Sequence, residues 1–167
     1  VRVQITKKAD GSGVLRCVRD DGSVVWQRQN ERHAAYFALH DLTHFAVETA
    51  LVYRRGFFGL IAEGWDFEDT TGKGARGPLP PEAGEVEMMV GLFSAEAASG
   101  TTWSVEEFNE YGGRNRLRPL TADEIARVKK RRSELFEQWS AVEPGATLEL
   151  EWADPVSSAA PATARRN

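Results

Sequence analysis

From Asn30 to Arg55 the chain runs without a single Gly or Pro. These are the two residues that break helices most readily, so their absence predicts one continuous helix of about seven turns at roughly 3.6 residues per turn. Asn30 is placed as its N-cap, Arg54 and Arg55 fall in its last turn, and Gly56 follows as the residue that would close it in a left-handed conformation. Ala34, Tyr36, Phe37, Leu39, Leu42, Phe45, Ala46, Val47 and Leu51 spread apolar groups around much of its circumference. A helix that is apolar on several sides lies in the core, and the rest of the fold must wrap it.

The wrapping is legible on both sides. Val1, Val3 and Ile5 alternate, Val14 to Val18 and Val24 to Trp26 are rich in β-formers, and Asp10-Gly11-Ser12-Gly13 and Asp20-Asp21-Gly22-Ser23 supply the turns of a three-stranded meander. Near the other end Thr147 to Trp152 alternates strictly and predicts a strand that joins the same sheet. Gly56 to Phe67 predicts a short helix or turn folded back on the long one, and residues 70 to 81, with three Gly and three Pro, a flexible loop that could act as a lid. Val86, Met89, Val90, Phe93 and Ala97 then follow helical spacing up to Gly100, with the two methionines as core filling. Ser104-Val105-Glu106-Glu107 and Thr121-Ala122-Asp123-Glu124 are capping boxes that open two more helices. On the second of these Arg132 falls inside the apolar stripe and must snorkel outward or meet an acid.

The fold class predicted is α+β: a small antiparallel sheet, made of the N-terminal meander and the C-terminal strand, packed on the long central helix and three shorter helices. Sixteen aromatic residues (five Trp, eight Phe, three Tyr) suffice for one core, and residues 1–152 are expected to form one domain. Residues 153–167, rich in Ala, Pro and Ser, are expected to be a disordered tail.

Composition removes several function classes. A single cysteine, Cys17, excludes an internal disulfide framework and a multi-cysteine zinc site. No apolar run approaches the roughly 18 residues of a membrane-spanning helix, and the strand-like start does not read as a signal peptide, so the expected compartment is the cytoplasm. Residues 62–110 hold eleven acids against two bases, and residues 114–132 hold eight bases against two acids, which suits a neutralising intramolecular contact. The basic segment could instead bind phosphate groups, but a net charge of −4 and the lack of interleaved aromatics argue against nucleic acid as a partner. Gly72-Lys73-Gly74 lacks the spacing of a phosphate-binding loop, and no Ser-His-Asp or Cys-His arrangement is visible.

What chemistry remains is concentrated on the long helix. His33, His40 and His44 are the only histidines, and at roughly 100° per residue they share one face, with Glu48 at about 60° and Asp41 at about 80° along one border of it. His40 and His44 stand four residues apart, a spacing at which two imidazoles can chelate one cation. His40-Asp41-Leu42-Thr43-His44 resembles in spacing the His-Glu-x-x-His motif of the zincin metalloproteases, with Asp41 where that family has its catalytic Glu. The resemblance implies zinc, and a catalytic role at Asp41, which on the helix geometry alone stands behind the ligands as a group that supports them. His40 and His44 are thus the expected ligands, and Glu48 a third ligand or the group that orients a ring. Glu63, Asp66, Glu68 and Asp69 are further acids near enough in sequence to contribute. His33 lies about 10 Å back along the axis and is the least suited to share the ion.

The function read from this is divalent-metal binding, with a metal-dependent hydrolase of a small polar or phosphorylated substrate as its catalytic form. The alternative is a non-enzymatic interaction or structural domain, dimeric through its sheet edge or charged faces, in which the histidines pack in the core or lie on the surface.

Overall fold

A computed structural model of the chain describes residues 1–28 and 34–154. Strands β1 (Arg2–Lys7), β2 (Gly13–Val18) and β3 (Val24–Arg28) form the meander, and β4 (Thr147–Glu151) returns to pair with β1, giving the antiparallel order β3-β2-β1-β4. The register sets Val3 opposite Cys17 and Leu150, and Ile5 opposite Leu15 and Leu148, so one face of the sheet is apolar throughout its centre. Both turns use the glycine that a left-handed corner demands, Gly11 at φ 80° and Gly22 at φ 83°, and Asp10 and Asp21 each accept from the backbone amide two residues on.

Among the described residues five α-helices follow: α1 (Ala34–Leu51), α2 (Phe57–Ala62), α3 (Pro81–Ser99), α4 (Val105–Arg114) and α5 (Ala122–Ala141), with a single 3-10 turn at Asp69–Thr71 between α2 and α3. Both capping boxes are formed, at Ser104 with Glu107 and at Thr121 with Glu124. The architecture is α+β. Helix α1 is central as its composition predicts: Ala38, Leu42 and Phe45 join the sheet residues and Leu135 and Trp139 of α5 in one buried cluster, while Val47 and Leu51 join Met89, Val90 and Phe93 of α3 and Phe108 of α4 in another. None of the described helices is long and apolar enough to cross a membrane.

The sequence reading departs from the structure at three places. First, α1 stops at Leu51 and not at Arg55. Val52 adopts φ 63°, and the amide of Tyr53 reaches back to the carbonyl of Glu48 at 3.0 Å, which closes the helix with a β-branched residue where glycine is usual. Gly56 therefore caps the start of α2. The expected N-cap Asn30 lies outside the described residues, as do His33 and the chain beyond 154. Second, Met89 is fully buried but Met88, one position round the helix, is 41% exposed. Third, Arg132 is half-buried over the Phe136 ring with the Glu96 charge acting on it, and it is fixed by a bond the sequence does not foretell, its Nη1 donating to the backbone carbonyl of Phe93 on α3 at 2.5 Å.

Two ties fix α2 where the functional residues need it. Arg19, at the end of β2, donates from Nε to the carbonyl of Ile61 at 2.7 Å and from Nη2 to that of Trp65 at 2.6 Å, holding the C-terminal end of α2. Gly59 lets α2 approach the 52–55 turn so closely that a Cβ there would lie 1.8 Å from the carbonyl oxygen of Arg54.

Candidate metal centre

His40 and His44 stand on successive turns of α1 with ring centroids 4.7 Å apart and planes nearly perpendicular. His44 is buried, against the ring of Phe57, and His40 is partly buried beneath the exposed ring of Tyr36. Both turn a nitrogen towards a residue of α3: Nε2 of His44 is 3.0 Å from Oε2 of Glu87, and Nε2 of His40 is 3.9 Å from its Oε1. One donor atom from each of His40, His44 and Glu87 lies within 4.8 Å of the other two, close enough for the three to hold a metal ion. A tetrahedral ion with bonds near 2 Å sets its donors about 3.3 Å apart, so binding would contract the cluster, and the Glu87 side chain, 63% exposed, has the freedom to follow.

Glu48 lies on the opposite side of the His44 ring. Its carboxylate accepts from the amide of Phe58 at 3.1 and 3.2 Å and from that of Gly59 at 3.2 Å, and its Oε1 is 3.6 Å from Nδ1 of His44. That separation is too long for a hydrogen bond, and Nδ1 of both histidines is buried with no hydrogen-bond partner. Gly56 makes room for this carboxylate, since a Cβ there would fall 2.4 Å from Cδ of Glu48. Asp41 is buried beside the pair and lines the same pocket.

Glu87 is the acid that sequence reasoning missed. The acids nearer in sequence are engaged elsewhere: Glu63 pairs with Arg55 at 2.9 Å, Asp66 with Arg19 at 3.0 Å, and Asp69 accepts from the amide of Arg76 at 3.2 Å, while Glu68 is exposed.

The electrostatics follow from this placement. Burial works against a charge on the His44 ring, but the Glu48 and Glu87 carboxylates on its two edges outweigh that and hold its pKa up at about 9. The His40 ring is pushed below its ordinary value, by burial first and then by the neighbouring His44 charge, and the ion pair with His44 draws the Glu87 carboxyl down. The two rings are thus driven apart, His44 towards its charged form and His40 towards its neutral one.

A cavity of about 380 Å³ opens beside the pair, of the size that encloses small-molecule ligands. Phe37, Phe57, Leu60, Phe67 and Leu79 supply its apolar walls, and the 70–81 segment contributes Thr70 and Thr71 at its rim. That segment is tied down by Asp69, on which the amide of Arg76 closes, while the Arg76 guanidinium donates to the carbonyl of Gly64 at 2.8 Å and lies over the Trp65 ring.

Much of the basic segment 114–132 is neutralised within the chain. Lys129 meets Glu96 at 2.6 Å, Arg114 meets Glu110 at 2.6 Å, and Arg118 meets Glu124 at 2.9 Å with Glu85 at 3.9 Å. Arg127 pairs with Asp123 and Arg131 with Glu134.

The fold and this cluster define a class only: a small α+β domain with a His-His-Glu group at the mouth of an apolar pocket. Compared with protein-family models, curated proteins and solved structures, the chain matches none.

Proposed function

We propose that His40, His44 and Glu87 bind one divalent cation, zinc being the ion best suited to two imidazoles and a carboxylate. The observation that carries this is the convergence of three donors from two helices on one point within 4.8 Å. Three protein ligands leave a position for water or substrate, which is the arrangement of catalytic rather than structural sites. When bound, such an ion lowers the pKa of its water and polarises a carbonyl, so hydrolysis of a small polar substrate is the reaction proposed. In that reaction Asp41, lining the pocket, is the residue assigned to accept the proton of the water. Glu48 is assigned to hold the His44 ring from behind, with the ligand role that its helical spacing also allows as the variant to be tested.

A second reading is favoured by the charges. His44, with Glu87 of α3 at 3.0 Å from one ring nitrogen and the Glu48 carboxylate, which accepts the α2 amides, at 3.6 Å from the other, already links α1 to its neighbours in a way that needs no ion. Elemental analysis of protein purified without an affinity tag separates the two. About one ion per chain, lost in a His40→Ala, His44→Ala double variant and in Glu87→Ala, supports the metal site. Metal-free protein that cannot be loaded with zinc, or bound metal that all three substitutions leave unchanged, sinks it.

A further inference from the structure

The walls of the cavity beside the cluster differ sharply from what a phosphorylated or otherwise anionic substrate requires. Among the described lining residues there is no Lys or Arg, and the ionisable groups besides the two histidines are Asp41 and Glu87, both acids. Among the described lining residues an anion would meet two carboxylates and no fixed cation. The remaining surface is apolar and aromatic. The Phe57 and Phe67 rings stack at 5.7 Å with planes 24° apart, and Leu79 of the 70–81 segment lines the same cavity. The neutral polar groups are the amide of Gln27 and the hydroxyls of Thr70 and Thr71, which already donate to the carbonyls of Phe67 and Glu68 and so retain only accepting capacity.

We infer that this pocket takes an uncharged small molecule with an aromatic or branched apolar body, lodged against Phe67 and Leu79, and a single polar head directed at the His40–His44–Glu87 end. The inference rests on the metal reading above and narrows its substrate class to neutral acyl compounds such as amides or esters. Water would add across the C–N or C–O bond to give a carboxylic acid and an amine or alcohol, with no change of oxidation state. The volume, about 380 Å³, accommodates one ring and its head group.

The test uses the full chain loaded with zinc, its metal content measured first, and three probes followed by calorimetry: benzohydroxamate, acetohydroxamate and inorganic phosphate. The two hydroxamates share one chelating head and differ in the ring, so burial of the ring predicts benzohydroxamate at least about tenfold tighter than acetohydroxamate, with phosphate weaker than both. Phe67→Ala and Leu79→Ala should each remove most of that advantage while retaining the ion and the acetohydroxamate affinity. Leu79 lies on a surface segment, so its variant remains informative if Phe67→Ala fails to fold. Equal binding of the two hydroxamates, phosphate the tightest of the three, or a ring preference untouched by Leu79→Ala overturns the inference and leaves the metal reading standing. Failure to load zinc overturns both.

Discussion

The Glu48 carboxylate lies 3.6 Å from Nδ1 of His44 while accepting the amides of Phe58 and Gly59. One buried acid thus anchors the start of α2 and sets its charge beside the ring whose other nitrogen faces Glu87. Glu48→Gln tests that arrangement. Glutamine keeps the volume and one accepting oxygen for the α2 amides, so the apo protein should lose only about 1 kcal/mol in urea unfolding. Loss of the charge behind His44 should weaken zinc by roughly 10- to 100-fold in a chelator competition titration. Unchanged zinc affinity would show that Glu48 serves the fold alone.

Gly56 is the residue that permits this geometry. Alanine there brings a Cβ to 2.4 Å from Cδ of Glu48, inside a buried site where the acid has little room to retreat. Gly56→Ala should therefore destabilise by about 1–3 kcal/mol, the usual range for overpacking. It should also reduce zinc affinity together with stability, whereas Glu48→Gln separates the two. Calorimetric melting with and without zinc reads both effects.

Val52 closes α1 at φ 63° with its side chain 60% exposed, so nothing in the core demands valine there. Val52→Gly relieves roughly 1–2 kcal/mol of left-handed strain. It gives back about 0.5–1 kcal/mol by freeing the unfolded chain. A net gain of about 0.5–1 kcal/mol in urea unfolding is expected; a loss would mean that valine makes an unrecognised contact in the turn.

These two positions also explain what the sequence could and could not reveal. The alternation of Val1, Val3 and Ile5, the turn glycines and the capping boxes are local signals, and each element they mark is present. The end of α1 was not legible because a left-handed valine is not a local preference: the close approach of α2, through Gly59 and Glu48, accompanies it. The His40–His44 pair was legible because i and i+4 on one helix fix a distance. Glu87 was not. It flanks the apolar stripe of α3 just as Glu85 does, and only the packing of α3 on α1 distinguishes the acid that meets His44 from the one that meets Tyr53.

The capping box of α5 should make the fold acid-sensitive. The Glu124 carboxyl is drawn from its ordinary 4.5 down to about 2, chiefly by Arg118 and then by the Thr121 amide. A folded-state value below the unfolded one contributes stability that is whole above about pH 4.5 and lost as pH falls towards 2. Urea midpoints measured between pH 6 and pH 2.5 should therefore fall less steeply in Glu124→Gln than in the parent, with Arg118→Ala intermediate. Parallel curves for all three would remove the claim.

The pairing of Lys129 with Glu96 explains best why the acidic and basic segments coexist in one chain. Glu96 is 7% exposed and Lys129 27% exposed, their contact is 2.6 Å, and the Trp103 amide approaches the same carboxylate at 3.4 Å, with the Arg132 charge acting on it from farther off. Lys129→Met removes the cation and leaves a buried carboxylate, which should cost about 3 kcal/mol. Removing both charges together, Lys129→Met with Glu96→Met, should cost much less than the single lysine change, since no orphaned charge remains. High salt should restore little of the single variant's stability, because a contact this enclosed is poorly screened. If Lys129→Met proves neutral, the Glu96 carboxylate does not depend on Lys129 and the contact is not what commits these two charges to the fold.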